Sequence, residues 1–132
     1  GAFLMRSKNA QMVAQFRHHF GLPVKSFPDI TGVDLDLHAR LIAEEAAETI
    51  QAMRDRDAVE ILDGLVDLTY VVLGAALDCG FDLDAAFAEV HRSNLSKLMP
   101  DGTVLRRDDG KVLKGPNFTP PDLRMLAGVN PR

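Results

Sequence analysis

A chain of 132 residues, 46% hydrophobic and 26% charged, has room for one domain with a single core of three or four helices. No apolar run reaches the ~18–20 residues of a membrane span. The apolar start at residues 1–5 is too short for a secretory signal, and the lone Cys79 cannot form an internal disulfide. These features predict a cytoplasmic protein without membrane contact. The net charge of −4 hides a partition, because residues 57–90 carry eight acidic and no basic side chains, whereas residues 91–132 carry eight basic and four acidic. An acidic middle before a basic end is a poor footprint for duplex nucleic acid, which needs a continuous basic surface. It suits a small ligand bearing both phosphates and metal ions.

Residues 9–20 place Met12, Val13, Phe16 and Phe20 at helical spacing, with Gly21 and Pro23 as the stop. Residues 21–32, with Pro23, Pro28 and Gly32, form an irregular connection. A second helix starts near Asp34, capped by Thr31, Asp34 or Asp36, and runs to about Arg54. Its expected apolar stripe is Leu37, Leu41, Ile42, Ile50 and Met53. A third helix, residues 58–79, follows a charged corner whose Asp57 is a plausible N-cap. It is apolar almost all round, which predicts burial, and its Gly64 and Gly74 predict close packing against a neighbour.

The fourth helix opens on Asp82 or Asp84 and continues to Leu98, with Leu83, Phe87, Val90, Leu95 and Leu98 inward. After the turn at Pro100-Asp101-Gly102, residues 103–112 predict a hairpin around Asp109-Gly110, the pair preferred in a type I′ turn. The remainder is rich in proline and drapes over the body or over a partner subunit. The expected organisation is one domain spanning residues 1–132, with a helical body at about 9–98 and a hairpin and tail at about 101–132.

The chemistry lies in residues 41–74. Glu44, Glu45 and Glu48 share one face of the second helix, and Glu60, Asp63 and Asp67 form a stripe on the third. Taken alone, the first group is as well explained by a solvated face. The second lies on the most apolar helix of the chain, where unpaired carboxylates are costly to bury and repel one another. No Lys or Arg occurs between Asp57 and His91. Two such stripes on antiparallel helices form a cage for one to three hard divalent cations, Mg²⁺ with Mn²⁺ as an alternative. No Glu-x-x-His pair is present, which disfavours di-iron chemistry and leaves an all-oxygen site suited to phosphate substrates.

The run Glu44-Glu45-x-x-Glu48 followed by Glu60-x-x-Asp63 resembles the EExxE…ExxD pattern of the all-α nucleoside triphosphate pyrophosphohydrolases. That superfamily includes the MazG-like proteins, the dimeric dUTPases and phosphoribosyl-ATP pyrophosphohydrolase. The likeness extends from about Met12 to Leu123, through DGLVDLTYVVLG (63–74), VHRSNLSKL (90–98) and DGKVLKGPNFTPPDL (109–123). It implies an all-α bundle of four to five helices with a short C-terminal hairpin and irregular tail, forming a homodimer or a dimer of dimers. It implies Mg²⁺-dependent cleavage of a nucleoside triphosphate to monophosphate and pyrophosphate; dUTP or another non-standard or pyrimidine deoxynucleotide is the expected substrate.

Carried over by motif, Glu44, Glu45, Glu48, Glu60 and Asp63 become metal ligands. Asp67, one turn on, fits the motif position as well, although Asp63 ranks first by spacing. Glu44 or Glu45 would act as general base. Asn94 and Lys97 become ligands for sugar or phosphate oxygens. Arg106, Arg107, Lys111 and Lys114 could close over the phosphates from the hairpin. Tyr70 suits packing better than base or sugar contact, and Phe16 suits the core better than Gln15 or Phe16 suits the base. His18, His19 and His38 are expected at the surface or in partial core, and His91 could touch phosphate. Phosphoribosyl-ATP hydrolysis in histidine synthesis is the alternative activity, and a non-catalytic helical dimerisation or regulatory module is the alternative class.

Overall fold

A computed structural model describes Met5 and residues 7–130; the apolar start, apart from Met5, lies outside the described residues. Four helices follow in order: α1 Lys8–His19, α2 Leu35–Arg54, α3 Ala58–Cys79 and α4 Leu83–Leu95. The described residues contain no strand, only an isolated antiparallel bridge between Arg106 and Val112. The fold is all-α.

Local chemistry explains the helix ends. Ser7, Asp34 and Asp57 cap α1, α2 and α3, their side-chain oxygens accepting from the N–H groups of Ala10, Leu37 and Glu60. The same three helices close with one motif, in which a N–H beyond the end donates five residues back. Leu22 donates to the Arg17 carbonyl at 2.8 Å, Asp57 to Ala52 at 3.2 Å and Phe81 to Ala76 at 2.9 Å. The left-handed residue this requires is Gly21 in α1 and Gly80 in α3, but Arg56, with φ of 55°, in α2. The connection after α1 lies against the end of α3, where Lys25 N–H donates to the Leu77 carbonyl at 3.0 Å and Asp29 N–H to Cys79 at 2.9 Å. Carbonyls left unpaired by the helix end are thereby satisfied.

The chain divides into two compact units, the first ending at Leu83 and the second beginning at Asp84. In the first, α3 packs along α2 and crosses α1. Its core is Met5, Ala10, Val13, Ala14, Leu73, Ala76 and Leu77, with Cys79 also buried. The buried face of α1 is thus Ala10, Val13, Ala14 and Arg17, spaced i, i+3, i+4, i+7. Of the expected stripe only Val13 points inward; Met12, Phe16 and Phe20 are exposed. In α2 the buried residues are His38, Thr49 and Ala52, and Leu37, Ile50 and Met53 face outward. Apart from Gly64, the buried residues of helix α3 lie in its C-terminal half, and Val59 and Leu62 near its start are 73% and 66% exposed. Each helix carries more apolar residues than its own unit can cover.

In the second unit the helix ends at Leu95, short of the expected Leu98, and Phe87, expected inward, is 76% exposed. The tail is strapped to the end of α4. Arg92 donates to Thr119 Oγ1 at 2.6 Å and Ser93 Oγ to the Thr119 carbonyl at 2.8 Å, while Gly115 N–H donates to the Lys97 carbonyl at 2.8 Å. The hairpin forms around Asp109-Gly110 but not as a type I′ turn. Only Gly110 has positive φ, at 89°. Gly110 N–H donates to the Arg107 carbonyl and Arg107 N–H to Lys111, both at 2.8 Å, which is a three-residue loop with a glycine bulge. Asp109 keeps negative φ because its carboxylate accepts from both the Arg107 guanidinium and Lys111 N–H.

Candidate active site

The register of α2 against α3 is set by one close approach. A Cβ on Gly64 would lie 2.5 Å from Thr49 Oγ1 and 3.1 Å from Thr49 Cα. Only glycine lets the helices meet this tightly. The Thr49 hydroxyl turns back to donate to the Glu45 carbonyl at 2.6 Å. Because the helices run antiparallel, one turn back from Thr49 lies opposite one turn on from Gly64. Glu45 therefore faces Asp67.

The electrostatics report this juxtaposition. Burial is the largest effect on Glu45 and raises its carboxyl above the ordinary glutamate range; the charges of Glu48, Asp67, Glu44 and Asp63 add to the rise in that order. Asp67 thus weighs more on Glu45 than Asp63 does. Asp67 is half-buried and Asp63 exposed. Glu45 Oε2 is shut off from solvent and has no hydrogen-bond partner among the described residues. Glu60 stands apart: it is exposed, its N–H is held by the Asp57 cap at 3.2 Å, and it is not among the charges that shift Glu45.

Among the described residues no three His, Cys, Asp or Glu side chains converge closely enough to hold a metal ion. The acids share a seam while their side chains keep apart, as like charges do without a counter-ion. The donor set nevertheless fits a hard divalent cation: it is all carboxylate, and one buried oxygen lacks a partner.

Beyond Glu45 and Asp67 the seam between α2 and α3 changes character. Asp78 accepts from His38 Nε2 at 2.7 Å and lies 3.8 Å from Arg17 Nη2, so three helices meet in one polar cluster. His38 and Arg17 are each 8% exposed. His38, expected at the surface or in partial core, is thus buried and hydrogen-bonded to Asp78. Arg17 escaped the sequence reading, although its place seven residues after Ala10 puts it on the buried face of α1. Tyr70 packs edge-on against Phe16 at 5.6 Å, and Phe16 stacks on Phe20 at 4.4 Å. Both Tyr70 and Phe16 stay partly open, at 36% and 40% exposed. Gln15, His18 and His19 are exposed. A larger groove of about 420 Å³ between α1 and α3, with Met12, Leu65, Val66 and Leu73 in its walls, carries no charged group.

The remaining predicted residues belong to the second unit. Asn94 and His91 share a shallow hollow of about 150 Å³ with Phe87 and Val90. Lys97 is half-buried beneath Gly115, and Lys114 lies 4.7 Å from the centre of the Phe118 ring. Arg107 is clamped by Asp109 through two hydrogen bonds that raise the guanidinium pKa, and Arg106 donates to the Gly110 carbonyl at 3.0 Å. Lys111 is exposed.

Residues 13–94 match the phosphoribosyl-ATP pyrophosphohydrolase family. The chain belongs to this family. The matched span takes in both acidic helices whole; the hairpin and tail lie outside it. The chain is also similar to an uncharacterised protein of Acanthamoeba polyphaga mimivirus, 32% identical over 84 residues covering 60% of this chain and 34% of that protein. It spans about a third of the length of that relative. No helix among the described residues is long and apolar enough to cross a membrane.

Proposed function

We propose that the chain hydrolyses a nucleoside triphosphate to the monophosphate and pyrophosphate, using Mg²⁺, or Mn²⁺ in its place, held by carboxylates of α2 and α3. The observation that carries this reading is the unpartnered, buried Oε2 of Glu45 among four other acids, in a chain of a pyrophosphohydrolase family. Glu44, Glu48, Asp63 and Asp67 would supply most of the ligand oxygens, with Asp67 as the inner aspartate and Glu60 at the periphery. Bound Mg²⁺ supplies neutralising charge for the phosphates and lowers the pKa of water.

Glu45 is the base of choice, ahead of Glu44. Its Oε2, shut off from solvent and without a hydrogen-bond partner among the described residues, would accept the proton of the water that attacks the α-phosphorus. Asn94, Lys97, Arg107, Lys111 and Lys114 have the donor chemistry for phosphate or sugar oxygens. The exposed apolar residues of α2 and α3 support a homodimer or dimer of dimers that covers them. dUTP or another pyrimidine deoxynucleotide is the preferred substrate, and pool cleansing in the cytoplasm the setting. The matched family's own description favours a second reading, phosphoribosyl-ATP as substrate.

A panel of (d)NTPs and phosphoribosyl-ATP with Mg²⁺ decides between them. Monophosphate and pyrophosphate from a pyrimidine deoxynucleotide are expected; turnover of phosphoribosyl-ATP alone would establish the second reading. Inertness across the panel, with a melting temperature indifferent to Mg²⁺ and Mn²⁺, would favour a non-catalytic helical module. Full activity in Glu48→Gln would overturn the metal assignment.

A further inference from the structure

The tail beyond the hairpin contains no helix or strand, yet it is fixed to the end of α4 at successive points. Pro116, Pro120 and Pro121 stiffen it, and a proline biases the residue before it, here Thr119, towards extended backbone. Ser93 and Ser96 then stand in for a strand partner. Ser93 Oγ donates to the Thr119 carbonyl at 2.8 Å, and Ser96 Oγ accepts from Thr119 N–H at 3.0 Å. Arg92 forks across the same stretch, with Nε on Glu89, Nη1 on Thr119 Oγ1 at 2.6 Å and Nη2 on the Pro120 carbonyl at 3.2 Å. Glu89 accepts in turn from Asp122 N–H at 3.4 Å. Ser93 is 2% exposed, so its hydroxyl is a buried donor committed to the tail.

What these contacts hold in place is Lys114. Phe118 directly precedes Thr119, and the Lys114 ammonium lies 4.7 Å from the centre of its ring. The backbone of Lys114 is fixed through Gly115, whose N–H donates to the Lys97 carbonyl at 2.8 Å. A Cβ on Gly115 would stand 2.7 Å from the Leu98 carbonyl oxygen, so this approach needs glycine. The backbones of Lys97 and Lys114 are therefore neighbours. Arg92 and Arg107 are paired with Glu89 and Asp109, whereas neither lysine has an ion-pair partner among the described residues. Ordering an irregular tail costs backbone entropy. What the ordering delivers is two neighbouring cations with no acid of their own.

We propose that Arg92 and Ser93 are positioning residues for substrate binding: by fixing Thr119 they keep Phe118 against the Lys114 ammonium and hold Lys114 beside Lys97, where both donate to a phosphate group. The proposal rests on the nucleotide pyrophosphohydrolase reading, in which these lysines are donors for phosphate oxygens, and adds the residues that set them.

The test measures KM and kcat for the nucleoside triphosphate that wild type cleaves best. It uses Ser93→Ala, Arg92→Lys, Lys114→Ala and each of the first two combined with Lys114→Ala, with melting curves for all. Lys114→Ala should raise KM about tenfold, the loss of one hydrogen bond from a charged donor. Arg92→Lys keeps the charge and loses the fork. It and Ser93→Ala should each raise KM by about 3- to 10-fold with kcat unchanged, as loss of uniform binding does. In the Lys114→Ala background neither should raise KM further, because no ammonium is left to position; a merely structural role would give additive effects. Arg92 is exposed, so Arg92→Lys decides the matter if Ser93→Ala fails to fold. An unchanged KM in Lys114→Ala or in Arg92→Lys, or effects that add fully to that of Lys114→Ala, overturns the proposal while leaving the pyrophosphohydrolase reading intact. Failure of wild type to cleave any nucleotide overturns both.

Discussion

Helix α3 carries two carboxylate centres that are built in opposite ways. Towards its C-terminal end, Asp78 has partners from the chain itself, His38 at 2.7 Å and Arg17 at 3.8 Å. Towards its N-terminal half, Asp63 and Asp67 face Glu45 and Glu48, and every charge that shifts Glu45 is another acid. The first centre is completed within the fold and pins three helices together. The second is left incomplete, with a buried oxygen unpaired. A buried carboxylate oxygen without a partner is an expensive structural element, and an outside cation would complete it.

The comparison is broken most severely by substitutions that neutralise one centre at a time. Glu45→Gln should reduce turnover by about 10³-fold, within the range for loss of a general base. In metal-free buffer the same variant should melt no lower than wild type, because removing a charge relieves repulsion. Steady-state assays paired with calorimetric melting check both halves, and retained turnover would contradict the assignment.

At the other centre the pattern should invert. Asp78→Asn leaves Arg17, whose guanidinium is already held below its ordinary pKa by burial, without its counter-charge. A loss of about 3–5 kcal/mol in urea denaturation is expected, the usual cost of breaking a buried pair by removing one partner. A loss under about 1 kcal/mol would place Asp78 with surface ion pairs.

Gly64→Ala tests the contact that sets the seam. The methyl must clear Thr49 Oγ1 and Cα, so overpacking of about 1–3 kcal/mol should outweigh the gain of about 1 kcal/mol in helix propensity. Turnover should fall with stability, since the same shift separates Glu45 from Asp67. A Thr49→Ala background, lacking the hydroxyl, should recover part of both.

These variants also mark the boundary of what the sequence made legible. Helix existence and ends were readable because Asp34, Asp57 and Gly80 act within one turn of themselves. The acidic seam was readable because Glu45 and Asp67 lie on faces fixed by helical spacing, and Gly64 announced the close approach. Which apolar face turns inward was not, since every helix offers more apolar residues than the unit covers; Met12, Phe16 and Ile50 were assigned inward and lie outside. The pairing of His38 with Asp78 spans 40 residues of sequence, and no local pattern encodes it. The turn at Asp109-Gly110 was misassigned because Arg107 and Lys111 compete for the aspartate and hold it at negative φ.

The smallest effect is a pH dependence. A carboxyl raised above its unfolded value contributes stability that is complete below about pH 4 and is lost as pH rises through the raised value. The stability difference between wild type and Glu45→Gln should therefore move against wild type from about pH 4 towards neutrality in metal-free buffer. Added Mg²⁺ should abolish the trend, because it favours the ionised form. Chemical denaturation across that range, with and without Mg²⁺, checks the sign.

The central claim is that the acids of α2 and α3 wait for a cation, and calorimetric titration of the purified protein with Mg²⁺ and Mn²⁺ tests it most directly. Saturable binding is expected in wild type, weakened more by Asp67→Asn than by Asp63→Asn and weakened also in Glu45→Gln. Binding that survives unchanged in Glu45→Gln, or no binding in wild type with or without nucleotide, would contradict it.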